Sequence, residues 1–186
     1  KHAARELQNK ANNDELTGLA NRARFMQKLD QCEAVLRGTD TPASIFILDL
    51  DGFKNLNDTK GHAAGDWVLV ETAKRLKRVS RRADEVARLG GDEFCLLFIN
   101  KGTEDEMTKM ADDILAEMTK PFIWQEHDCG ISASIGFSVF AGGNSDMSEQ
   151  LRRADKAMYE AKNSGKAQSC LYSPALEPEI HQDDVE

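Results

Sequence analysis

The chain has 186 residues, 40% hydrophobic and 30% charged, with 24 Lys and Arg against 32 Asp and Glu for a net charge of −8. That length makes one domain with a self-sufficient core and leaves no room for a second of similar size. The negative balance argues against a surface built for nonspecific DNA or anionic lipid, so neither nucleic-acid binding nor direct membrane contact is expected.

Residues 1–13 read as the end of an N-terminal linker helix, because Ala3, Ala4, Leu7 and Ala11 make only a thin apolar stripe. Residues 14–19 are turn-like around Gly18, and Asn21 can cap a helix to about residue 37 with Phe25, Leu29, Cys32 and Leu36 on one face. Residues 44–51 form a short run of β-formers ending in Asp49 and Asp51, which predicts a buried strand. Residues 52–65 are expected as loop and helix start, followed by a helix over 66–82 striped by Leu69, Thr72, Leu76 and Val79. Two strand-like runs, 86–89 and 93–99, flank Gly90-Gly91-Asp92, a hairpin signal because glycine tolerates the positive φ of a tight turn. A helix over 104–119 stops before Pro121, and 131–140 reads as strand. Ser148 is expected to cap a helix with Leu151, Ala154, Met158 and Ala161 inward, ended by Gly165 and followed by a last strand over 167–172. The remainder, 173–186, is acidic and without periodicity, and is expected to be disordered. Because one strand pair is a tight hairpin, a purely parallel sheet is excluded. An α+β arrangement follows, a mixed or antiparallel sheet covered by helices.

The four cysteines, Cys32, Cys95, Cys129 and Cys170, form no CxxC, so disulfides and zinc sites are not expected and a reducing, cytoplasmic compartment is. The longest apolar run is six residues, 94–99, far below a membrane span. The chain starts at Lys1 rather than Met, so it reads as part of something longer, which leaves a membrane-anchored or sensory region open.

Asp49 and Asp51 lie two apart on a strand and face the same side. Alone, the pair fits either a strand end reaching water or a site where a divalent cation offsets the repulsion. The hairpin tip brings Asp92 and Glu93 from a second strand pair. If the two strands are neighbours, Asp49 and Asp92 converge. Carboxylates without nitrogen or sulfur ligands suit Mg²⁺, which fills its shell with water and substrate phosphates, as in nucleotidyl transfer.

Arg88-Leu89-Gly90-Gly91-Asp92-Glu93-Phe94 resembles the signature of the GGDEF family, the diguanylate cyclases. Further segments resemble that family in register: 14–22, 49–58 with Gly61-His62 and Gly65-Asp66, Ser134-Ile135-Gly136, and 154–162 with Gly165-Lys166. Together they cover residues 14–172. The resemblance implies a mainly antiparallel central sheet with flanking helices, similar to polymerase palms and nucleotide cyclases. It implies condensation of two GTP into cyclic di-GMP with release of pyrophosphate, by a homodimer. It further implies that Asp49, the carbonyl of Leu50 and Asp92 hold Mg²⁺ or Mn²⁺. Asp92, Glu93 and Lys54 would serve catalysis, with the choice of base between Asp92 and Glu93 left open. Phe53, Lys54, Asn57, His62, Asp66, Lys162 and Lys166 would bind GTP, with Asn57 and Asp66 reading guanine. Arg81 and Asp84 resemble the family's RxxD inhibitory site for the product, and Arg81, Arg82 and Arg88 together make a local basic patch; a basic helix end is the alternative, and the spacing favours the site. Gly52 stands where the family often has a bulkier residue. Two other classes stay in play: a noncatalytic sensor of GTP or cyclic di-GMP, and an interaction module that binds no nucleotide.

Overall fold

The computed structural model describes residues 11–143 and 146–177. The expected linker-helix residues 1–10 and the tail beyond 177 lie outside them. The elements are α1 (Arg22–Leu36), β1 (Pro42–Asp51), α2 (Phe53–Lys60), α3 (His62–Val79), β2 (Glu85–Gly90), β3 (Glu93–Ile99), α4 (Glu104–Thr119), β4 (Ile123–Trp124), β5 (His127–Asp128), β6 (Ser132–Ala141), α5 (Met147–Asn163) and β7 (Ser169–Leu171). The main sheet has the order β2-β3-β1-β6-β7. All neighbours are antiparallel except β6 and β7, which run parallel. The fold is α+β with a mainly antiparallel central sheet, as expected.

β1 is central and nearly all buried, and its alternation builds two cores. Phe46, Leu48 and Leu50 face α3 and α4, where they pack with Leu69, Leu76 and Ile114. Ile45 and Ile47 face α1 and α5, with Phe25, Leu29 and Met158. Phe46 stacks on Phe137 at 4.8 Å between centroids and meets Phe98 edge-on at 5.3 Å, which ties three strands together. Gly136 is dictated by close approach: a Cβ there would overlap the backbone of Ala154 and Met158, so any larger residue would push α5 off β6.

Several expectations need correction. Residues 53–60 are a helix, not loop. Its eight residues bury Leu56 alone, too little periodicity to read from sequence. The next helix starts at His62 rather than residue 66 and ends at Val79 rather than 82. Gly61, at φ 83°, ends α2 and begins α3, so Gly65 and Asp66 lie inside a helix. The cap of α5 is Asp146, whose carboxylate accepts from the N–H groups of Ser148 and Glu149; Ser148 is already in the first turn. Leu151 is only half-buried. The hairpin β4–β5 carries no expected signal, and its turn places Gln125 and Glu126 at positive φ. Of the tail expected to be disordered, residues 174–176 form a 3₁₀ turn, and Glu177 accepts bonds from Arg152, Lys156 and Tyr172.

Candidate active site

The C-terminal end of β1 and the turn between β2 and β3 come together because β1 pairs with β3. Asp49 stands directly opposite Glu93, and the Leu50 N–H donates to the Asp92 carbonyl at 3.3 Å. Asp49, Leu50 and Asp92 line one cavity of about 460 Å³, together with Phe53 and Lys54 from the start of α2, Lys162 from the last turn of α5 and Lys166 from the segment after it. Acids from two separate β-segments and three lysines thus share one opening.

Asp49 is held by Lys162, whose Nζ donates to Oδ1 at 2.8 Å. Burial is the main force pushing the Asp49 carboxyl above the ordinary range. The Lys162 bond pulls it back, and the charges of Asp92 and Asp51 add to the rise. Asp51 has a different task. It is 8% exposed and accepts from Ser134 Oγ at 2.9 Å, Ser132 Oγ at 3.0 Å and the Ala167 N–H at 3.1 Å. Its charge is satisfied by fixed donors that fasten the end of β1 to β6 and to the segment after α5. Both aspartates line the cavity, yet they divide by partner: Asp49 is bonded to Lys162, whereas Asp51 is held by fixed donors as a structural latch.

The remaining candidates are spread wider. Glu93 lines a neighbouring cavity with Arg22 and Asp155. Its carboxyl is pushed up chiefly by burial, then by Asp155 and Asp49, against the pull of Arg22. Asn57, His62 and Asp66 sit on α2 and α3 and do not line the Asp49 cavity. Asn57 Oδ1 is buried without a hydrogen-bond partner among the described residues and packs where a side chain on Gly65 would go. Such an orphan acceptor is costly unless something else satisfies it. Asp66 and His62 are exposed. Arg81 is exposed, whereas Asp84 Oδ2 accepts from the Ile99 N–H at 2.7 Å and from Lys101 Nζ at 2.9 Å.

The place of Arg88 also needs correction. Arg88 does not join Arg81 and Arg82 in a surface basic patch. Its side chain is 13% exposed, its Nε and Nη2 donate to the Gly91 carbonyl at 2.9 and 2.7 Å, and its Nη1 reaches Asp14 at 3.1 Å. Asp14 also accepts from the Thr17 N–H and hydroxyl. Arg88 thereby clamps the turn that presents Asp92 onto the first segment of the domain. Both partners fall inside motif segments visible in the sequence; their pairing across 74 residues was not.

The profile of the family described as "Diguanylate cyclase, GGDEF domain" matches residues 11–168. The chain belongs to the GGDEF family. Among curated relatives, the GGDEF chain is 37% identical over 174 residues to the bifunctional diguanylate cyclase/cyclic di-GMP phosphodiesterase MucR of Pseudomonas aeruginosa, covering 94% of this chain and 25% of that protein. It is 36% identical over 170 residues to the probable diguanylate cyclase DgcE of Escherichia coli, covering 91% of this chain and 15% of that protein. The chain thus spans a quarter or less of these two relatives. Among solved structures, the coiled coil and GGDEF domain of DgcB from Caulobacter crescentus, in complex with c-di-GMP, superposes with a TM-score of 0.84 at 29% identity, covering 91% of this chain and 90% of that one. No helix among the described residues is long and apolar enough to cross a membrane.

Proposed function

We propose that this GGDEF chain condenses two molecules of GTP into cyclic di-GMP, releasing two pyrophosphates. The observation that carries the reading is the shared cavity in which Asp49 from β1 and Asp92 from the β2–β3 turn meet Lys54, Lys162 and Lys166. In each of two equivalent steps, the 3′-oxygen of one GTP forms a bond to the α-phosphorus of the other. The bond from that phosphorus to the β-phosphate bridging oxygen breaks, pyrophosphate leaves, and the 3′-hydroxyl proton goes to a carboxylate, Asp92 or Glu93. One domain presents one such site, so two domains must face each other as a homodimer.

Asp49, the Leu50 carbonyl and Asp92 would hold Mg²⁺ or Mn²⁺. The donor set fits: all are hard oxygens, on residues that line one cavity. That suits a cation that takes the rest of its shell from water and phosphate. When bound, the cation supplies charge neutralisation at the attacking and leaving oxygens. The chain's own contribution is electrostatic and positional. Lys54, Lys162 and Lys166 offset the triphosphate charge, and Phe53 lines the wall beside them. Asn57 and Asp66 read guanine: a carboxylate accepts from its N1–H and N2–H₂ edge, and the unpaired Asn57 oxygen gains a partner. His62, at the start of α3, borders the nucleotide. Product would bind Arg81 and Asp84 and repress the enzyme. There the guanidinium grips phosphate, and Asp84 must share its carboxylate with Lys101.

The test is incubation with GTP and Mg²⁺ and separation of products by mass, for wild type and Asp92→Asn. Cyclic di-GMP from wild type alone supports the reading. GTP bound and returned unchanged by wild type would favour a sensor, and no GTP binding at all would favour an interaction module.

A further inference from the structure

Beside the Asp49 cavity lies a second one of about 350 Å³, and the two share no lining residue. Its floor is apolar, made by Ile47, Leu89 and Leu151, and its rim carries Glu93, Asp155 and Arg22, with Ser148 and Arg152 at the α5 end. These side chains come from β1, β2, β3, α1 and α5, so the cleft is a product of the whole fold on the α1/α5 face of the sheet. Neither the Glu93 nor the Asp155 carboxylate accepts a hydrogen bond among the described residues, although the two are close enough to repel. Arg152 is already bonded to Glu149 and Glu177, so the arrangement offers two acceptors and the Arg22 fork over an apolar floor.

The cleft's position gives this pattern a use. Glu93 stands directly across from Asp49 in the β1–β3 ladder, so its Cβ is roughly 5 Å from that of the residue facing the phosphates. In the proposed reaction the attacking 3′-hydroxyl arrives from outside the domain, on the nucleotide carried by a second copy of the chain. A 3′-oxygen delivered to the α-phosphate beside Asp49 brings its ribose over the neighbouring cleft. A ribose is a small ring with one C–H face and a vicinal diol, each hydroxyl both donor and acceptor. The apolar floor suits the C–H face, the two carboxylates accept from the hydroxyls, and Arg22 donates back.

We infer that the Arg22–Glu93–Asp155 cleft receives the ribose of the second copy's GTP, with Asp155 accepting from its 2′-hydroxyl. This rests on the cyclase reading and deepens it. The cleft selects ribonucleotides at the attacking position, independently of the site that holds each nucleotide's own base and phosphates. Asp155 acts here as a specificity residue, not as the base.

The test compares GTP with 2′-deoxyGTP, which keeps the reacting 3′-hydroxyl. Saturated turnover to cyclic product and equilibrium binding of each nucleotide are measured for wild type, Asp155→Ala and Asp155→Asn, with unfolding midpoints as the control for folding. In wild type, 2′-deoxyGTP binds within about threefold of GTP but turns over roughly ten- to a hundredfold more slowly, the value of one hydrogen bond to a charged group. In Asp155→Ala the GTP rate falls to the deoxy rate, so their ratio approaches one. Asp155→Asn, which keeps an acceptor and the side-chain shape, recovers part of the ratio. A lost packing contact would slow both substrates alike. Equal turnover of the two nucleotides by wild type, or an unaltered ratio in Asp155→Ala, overturns the inference while the cyclase reading stands. Wild type that makes no cyclic product from GTP overturns the parent reading and this inference with it.

Discussion

Replacing Arg88 by Ala should both destabilise the domain and impair the site, because one side chain serves both ends of the clamp. Its guanidinium makes two bonds to the Gly91 carbonyl and one contact set to Asp14, from a position where the two side chains are 13% and 21% exposed. Hydrogen bonds to charged groups contribute about 1.5–3 kcal/mol each when shielded. Asp14 keeps its Thr17 donors, so no bare carboxylate is left behind. The expected cost is therefore near the low end, about 2–3 kcal/mol, or roughly 5–10 °C in Tm for a domain of this size. Acid modulates the loss. Burial alone would raise the Asp14 carboxyl, but the Thr17 hydroxyl, the Thr17 N–H and Arg88 outweigh it and hold the carboxyl below the ordinary range. A lowered folded value means that the contribution is fully present above the unfolded aspartate value of about 3.9 and is lost as pH falls through the folded one. The gap between wild type and Arg88→Ala should thus be constant near neutrality and narrow below about pH 4. Urea titrations at several pH values measure it, alongside cyclase turnover, which should fall at least tenfold as the turn carrying Asp92 loosens. A double-mutant cycle with Asp14→Asn isolates the pair. Unchanged stability with full turnover, or a cycle showing no coupling, would refute the clamp.

Arg75→Met should cost about 2–4 kcal/mol in urea unfolding, with m unchanged. Arg75 is 6% exposed and donates to the carbonyls of Glu117, Lys120 and Pro121 while covering the Phe122 ring at 3.8 Å. A loss under 1 kcal/mol would show that water replaces it at the end of α4. Glu93→Gln should abolish most turnover yet stabilise the fold at neutral pH. Burial first, then Asp155 and Asp49, raise the Glu93 carboxyl, so wild type loses stability as pH rises from the unfolded glutamate value through the higher folded one. The gain should vanish on acidification toward about pH 4, and a pH-independent difference would contradict it. Arg81→Ala should keep turnover and weaken inhibition by cyclic di-GMP at least tenfold; unchanged inhibition would remove Arg81 and Asp84 from regulation.

How far the sequence reached depends on how local each signal is. The stripe Phe25, Leu29, Cys32 and Leu36 is wholly buried, and the hairpin at Gly90-Gly91 forms, because both signals sit within a few residues of one another. The convergence of Asp49 with Asp92 was legible once β1 and β3 were taken as neighbours. The helix at residues 53–60 was not, since a two-turn helix burying one leucine has no periodicity to show. The separate fates of Asp49 and Asp51 were equally hidden. Both lie on one face of the strand, and only the arrival of Ser132, Ser134 and the Ala167 N–H from far along the chain turns one into a latch. The Arg88 clamp escaped for the same reason: a guanidinium between a turn and a distant aspartate looks, in sequence, like one more surface arginine. Motif order carried the family, whereas side-chain partners across the sheet required coordinates.

The central claim is that Asp49 and Asp92 share one cation beside a guanosine triphosphate. It is tested most directly by electron paramagnetic resonance titration of Mn²⁺ into the chain in the presence of a GTP analogue that cannot react. The account predicts one nucleotide-dependent site per chain, weakened at least tenfold by Asp49→Asn and by Asp92→Asn separately in variants that remain folded. Mn²⁺ affinity that is indifferent to either substitution would contradict it.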